Sequence, residues 1–110
     1  MKRTPALAAL PRPVLDALQL LGRDISVARK RRKLPQRLLA EKMLVNVETV
    51  RRLEQGDPGV SIGVVASALF VLGMVRRLGD LAQGDQIGES EALRALPKRV
   101  RQPSDSELDF

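Results

Sequence analysis

The chain reads as an all-α protein: five helices, with an arm before them and a tail after them. Apolar residues recur at helical spacing from Val14 onward, and proline or a capping side chain stands where several helices would begin. No stretch alternates with period two over a useful length, so a substantial sheet is not expected. The 110 residues are 44% hydrophobic, enough for one small domain with a core of Leu, Val, Ala and Ile.

Residues 1–12 read as a flexible basic arm. Lys2 and Arg3 precede an apolar run, Ala6 to Leu10, too short and too broken by prolines for a secretory signal. Pro11 and Pro13 suit a helix start, and Val14, Leu18, Leu21, Ile25 and Ala28 then follow at spacings of three and four. This first helix ends in the basic cluster Arg29 to Lys33, where cations complement the helix dipole. Pro35 opens a second helix carrying Leu38, Leu39, Ala40 and Met43, and a break follows at Leu44 to Asn46. Asn46 can cap a third helix, Val47 to Gln55, and Gly56 stands where a C-terminal cap belongs.

Asp57-Pro58-Gly59 makes a turn, and Ser61 caps a fourth helix with Ile62, Val65, Ala66, Leu69, Phe70 and Gly73 on its inner face. A second apolar stripe on that helix, Val64, Ala68, Val71 and Val75, is expected to form a homodimer interface; the alternative is that the fifth helix or the C-terminal segment covers it. The fifth helix is expected over Val75 to Ala82, which bounds the domain at residues 13–83. Residues 84–110 read as a mostly flexible tail with a short helix near Glu89 to Leu96, a basic patch at Arg94, Lys98, Arg99 and Arg101, and an acidic end.

Composition narrows the function classes. Without Cys or His there is no disulfide, thiol nucleophile, imidazole base or zinc finger, so neither an enzyme nor a metal or other cofactor is expected. Aromatic residues make up 2% of the chain, too few for the stacking platforms of most single-strand binders. The longest uncharged run, Pro58 to Val75, falls short of the roughly 20 apolar residues of a membrane span, so no membrane partner and a cytoplasmic location are expected. The net charge is +6, and residues 1–33 carry nine basic side chains against Asp16 and Asp24. A polyanion is the partner this distribution suits, with a solubilising basic surface as the alternative.

Two short helices joined by a three-residue break have the geometry in which the second lies in a DNA major groove while the first crosses the backbone. On the third helix Val50 and Leu53 share one face, while Glu48, Arg51, Arg52 and Gln55 share the opposite one. Arg can grip guanine O6 and N7 as a fork, and Glu can accept from cytosine N4. A solvated polar face is the other reading of this pattern.

The segment Leu34-Pro35-Gln36-Arg37-Leu38-Leu39-Ala40-Glu41-Lys42-Met43-Leu44-Val45-Asn46-Val47-Glu48-Thr49-Val50-Arg51-Arg52-Leu53-Glu54-Gln55-Gly56 resembles the helix-turn-helix of Xre-type regulators and lambdoid phage repressors. With its flanking helices the resemblance covers about residues 18–74. It implies a lambda-repressor-like DNA-binding fold in which Gln36 holds a phosphate and Val47, Glu48 and Arg52 meet base edges. Asn46, Thr49 and Arg51 complete the expected DNA-facing set. The resemblance also implies an ion pair between Arg29 and Glu54 that locks the first and third helices together.

The chain departs from the family pattern in two places. The turn commonly has Gly where this chain has Leu44, and leucine at positive φ costs on the order of 1 kcal/mol, so the turn is expected to carry that strain or to rearrange. Pro35 occupies the position where Ser or Thr commonly caps, and it offers no side-chain oxygen.

Val60-Ser61-Ile62-Gly63, Phe70-Val71-Leu72-Gly73-Met74 and Leu96-Pro97-Lys98-Arg99-Val100-Arg101 are similar to HipB-like antitoxins. That second resemblance implies a homodimeric repressor of its own toxin-antitoxin operon, bound to an inverted repeat in double-stranded DNA and paired with a HipA-like kinase toxin. A solitary Xre-type regulator, or an all-α interaction module without DNA binding, remains open beside it.

Overall fold

A computed structural model of the protein describes residues 5–87. Among them are six helices and no strand: α1 (Pro5–Ala8), α2 (Arg12–Arg31), α3 (Gln36–Met43), α4 (Val47–Glu54), α5 (Ile62–Val71) and α6 (Val75–Gly79). The count of five helices is therefore corrected. The added element is α1, a single turn inside the segment read as an arm, where Pro5 presets φ and Ala6, Leu7 and Ala8 favour helix. The last helix is shorter than expected, ending at Gly79 rather than Ala82, in keeping with glycine's poor helix propensity. The helix expected at Glu89 to Leu96, and most of the tail, lie outside the described residues.

The caps explain where the central helices begin. Pro35 precedes α3 with extended backbone and no side-chain cap, as its chemistry requires. Asn46 caps α4 by accepting from the Thr49 backbone N–H at 2.8 Å, and Ser61 caps α5 by accepting from Val64 N–H at 3.2 Å. Ile25, Leu39, Val50 and Leu72 are the largest fully buried side chains, contributed by α2, α3, α4 and the end of α5. α3 packs on both α4 and α5, α2 on α4, and α5 on α6. Val14, placed on the inner stripe of α2 by its spacing, is exposed.

Two features of α5 correct the sequence reading. Ile62 and Phe70 are each 71% exposed rather than core-facing, and Ala68, assigned to the outer stripe, is fully buried. Val64 and Val71 are also packed against the core, leaving Val75 as the exposed member of the expected interface set. The physical reason is that α5 contains no charged residue, so its sequence offers little polar contrast to orient it.

The α3–α4 turn keeps its shape at the cost of strain. Leu44 takes φ 59° and ψ 41°, the left-handed region, and its N–H donates to the carbonyls of Ala40 and Glu41. Its side chain is 92% exposed, so no packing repays a penalty of about 1 kcal/mol. Leu44→Gly is expected to raise stability by up to about 1 kcal/mol in urea unfolding, reduced by glycine's greater freedom in the unfolded chain. A less stable variant would contradict this account of the turn.

Candidate nucleic-acid interface

The candidate surface is the outer side of α4, and its position depends on what lies beneath. Val50 and Leu53 are buried on the inner side, while Glu48, Arg51 and Gln55 are exposed and Val47, Thr49 and Arg52 are half-buried. At the N-terminus, Asn46 Oδ1 accepts from both the backbone N–H and the hydroxyl of Thr49, the latter at 2.9 Å. Two residues of the expected DNA-facing set thus also hold the first turn of the helix together.

Beneath the C-terminal end of α4 is a three-helix polar junction. Arg29 of α2 donates from Nε to Glu54 Oε2 at 2.6 Å and from Nη2 to Glu54 Oε1 at 3.0 Å, a two-point guanidinium–carboxylate contact. Their side chains are only 9% and 7% exposed. Arg29 Nη1 also donates to the Leu34 carbonyl at 2.9 Å. Burial pushes the Glu54 carboxyl up, but hydrogen bonds from Arg29 and Gln36, together with the Arg29 charge, outweigh it and hold the group below its ordinary value. No buried side-chain nitrogen or oxygen among the described residues lacks a partner.

Gln36, the first residue of α3, belongs to this junction: its Nε2 donates to Glu54 Oε1 at 2.9 Å. Its amide is therefore aimed inward at the carboxylate, a partner that neither the spacing nor the resemblance indicated. The Arg29–Glu54 contact ties the last turn of α2, from which the basic run Lys30 to Lys33 continues, to the last residue of α4. All four residues of that run are exposed, and Arg32 Nη1 donates back to the Ala28 carbonyl at 2.8 Å.

The two arginines of α4 differ in their surroundings. Arg51 reaches Glu48 at 3.3 Å, one turn away and in solvent, a contact of little strength that a competing ligand can displace. Arg52 turns toward the loop after α4, where its Nε donates to Asp57 Oδ2 at 2.9 Å while Asp57 Oδ1 accepts from Gly59 N–H at 2.8 Å. Asp57 thus joins the arginine to the backbone of its own turn. Asp57-Pro58-Gly59 marks that turn in the sequence, but its tie to Arg52 leaves no sequence signal, since an acid five residues past an arginine is a common spacing.

A second unanticipated feature sets the distance between α2 and α4. A Cβ at Gly22 would lie 2.6 Å from the backbone oxygens of both Leu53 and Glu54, and one at Gly56, which has φ +77°, would lie 2.6 Å from Gln19 Cα. The two glycines let the backbones meet, and that approach brings Glu54 to Arg29.

Among the described residues no cluster of His, Cys, Asp or Glu could hold a metal ion, and no helix is long and apolar enough to cross a membrane. Comparisons with protein-family models, curated proteins and solved structures found no match to the chain.

Proposed function

We propose that the protein is a sequence-specific double-stranded DNA-binding regulator that places α4 in the major groove, with α3 across the backbone. The observation that carries this reading is the outer side of α4. Glu48 and Arg51 stand exposed on a short helix backed by α3, with Gln55 exposed just past its end, and the exposed basic run Lys30 to Lys33 continues from Arg29, which is tied to the last residue of that helix. Base-edge chemistry flanked by phosphate-neutralising charge is the arrangement a helical groove reader requires.

Within this proposal Arg51 is the foremost base reader, because only a weak exposed contact with Glu48 has to yield. Arg52 contributes with its direction set by Asp57, and Val47 and Glu48 meet base edges near the start of the helix. Gln36 serves chiefly to orient Glu54, with any phosphate contact secondary to that bond. A repressor role, and an antitoxin role with a HipA-like kinase partner, extend the proposal along the family resemblances. A dimer of this kind would read half-sites about 34 Å apart in an inverted repeat.

The test is titration of the full chain with labelled duplex at low and moderate salt, followed by selection of preferred sequences. Affinity for random duplex is expected to fall steeply as salt rises. Arg51→Ala is expected to cost about 1–3 kcal/mol on the selected sequence and much less on random duplex. If random duplex does not bind at low salt, the protein is an interaction module instead. If Arg51→Ala weakens both duplexes equally, α4 does not read bases through this residue.

A further inference from the structure

We propose that Asp57 is a specificity-determining residue: by pairing with Arg52 it cancels that arginine's pull toward DNA phosphates while keeping the guanidinium aimed, so that Arg52 adds to binding only where a base edge meets it. The role rests on α4 reading duplex DNA, and Asp57 exercises it through its neighbour rather than on the DNA itself.

The two arginines of α4 are paired in opposite ways. Arg51 and Glu48 have side chains 50% and 65% exposed and meet at 3.3 Å, a contact that barely alters the charge a phosphate would encounter. Arg52 and Asp57 meet at 2.9 Å with side chains 30% and 16% exposed. The carboxylate is itself fixed, because Asp57 Oδ1 accepts from the Gly59 N–H at 2.8 Å and so cannot swing with the arginine. Gly59 contributes by having no side chain: a Cβ there would lie 3.2 Å from Arg52 Nη2 and 3.2 Å from Asp57 Oδ1. The guanidinium therefore lies against the bare turn, its direction set by an acceptor that the backbone holds.

The two kinds of DNA contact ask different things of an arginine. Attraction to phosphate depends on charge and little on direction, so a long unpaired side chain finds a phosphate on any sequence. A fork onto guanine O6 and N7 depends on N–H groups held in one plane and one direction. A fixed carboxylate weakens the first and supplies the second. The five N–H donors of a guanidinium allow it to hold a carboxylate and a base edge together. Charge for the phosphates is available elsewhere, in the exposed run Lys30 to Lys33.

The experiment is titration of the full chain with random duplex and with the duplex the parent selects, each over a salt series. Asp57→Asn keeps an oxygen for the Gly59 N–H but loses the charge, so the turn is retained and Arg52 released. This variant is expected to bind random duplex about threefold tighter or more, with a salt slope steeper by about 0.9, the mark of one added phosphate contact. Its preference for the selected duplex over random should shrink about tenfold. Arg52→Ala combined with Asp57→Asn removes the pair without changing net charge. It is expected to keep the parent's slope and, within about threefold, its affinity on random duplex, while losing about tenfold or more on the selected one. A shallower slope in this double variant would mean that Arg52 already holds a phosphate in the parent, and overturns the proposal. So does an equal tightening when Asp57→Asn is added to Arg52→Ala, since the carboxylate would then merely repel DNA. If the parent binds no duplex, the reading of α4 falls and this role with it. If the parent binds and selects sequences while Asp57→Asn leaves random-duplex affinity and slope unchanged, the role of Asp57 alone is overturned.

Discussion

Glu54→Ala is expected to lower the free energy of unfolding by about 3–5 kcal/mol, because it strands a guanidinium inside the protein. Arg29 would keep its bond to the Leu34 carbonyl but lose both contacts to the carboxylate, and Gln36 would lose the acceptor for its amide. With both partners less than a tenth exposed, water cannot take over these bonds without opening the junction. Urea unfolding measures the loss, and a change under about 1 kcal/mol would mean that the pair behaves as a surface contact. Replacing both partners with apolar residues, Arg29→Met with Glu54→Leu, should cost less than Glu54→Ala, since no charge is then left buried.

The same junction sets a pH dependence. The Glu54 carboxyl is held below its ordinary value, so the unfolded chain binds its proton more readily than the folded one does. The stabilisation is complete above the unfolded glutamate value of about 4.3 and is lost as pH falls through the lower folded value. Glu54→Gln removes this titration. The parent should therefore lose more stability than the Gln variant between neutral pH and pH values below about 4. Equal losses would assign the acid sensitivity to other carboxylates.

Gly22→Ala reverses the usual sign of its substitution. In the middle of an ordinary helix this change adds about 1 kcal/mol of stability. Here the added methyl would meet two backbone oxygens at 2.6 Å, and backbone cannot swing aside as the end of a side chain can. α2 and α4 would have to part, drawing Glu54 away from Arg29. A net loss of about 2–3 kcal/mol is expected from the overpacking, read as a lower melting temperature, and a variant as stable as the parent would show that the helices do not meet so closely.

These two sites mark where the sequence was readable and where it was not. Local chemistry placed α2 through α5: the three-and-four spacing of Leu18, Leu21, Ile25 and Ala28, the prolines, and the caps at Asn46 and Ser61 all act within a few residues. The strain at Leu44 was legible for the same reason, since one residue type at one turn position decides it. The facing of α5 was not, because a helix without charges has no polar side to turn outward. Gly22 reads in sequence as a minor flaw in a helix, and its role exists only once α4 has been laid across it. The Arg29–Glu54 pair spans 25 positions, and a family resemblance, not periodicity, brought it to notice. Gln36 was expected to face outward, and it bonds inward to the same carboxylate.

α4 is eight residues long, well under the roughly 12–15 that a helix needs to persist in water by itself. It exists because Val50 and Leu53 are buried and because its last residue is tied to α2 and α3. Whatever its outer side does, a lesion at Gly22 or Glu54 would abolish it as thoroughly as a lesion at Arg51. In a genetic screen scored by loss of activity alone, inner and outer positions of this helix would be indistinguishable. The map of sensitive residues would trace the fold, and the working surface would emerge only from variants that lose activity while still melting like the parent.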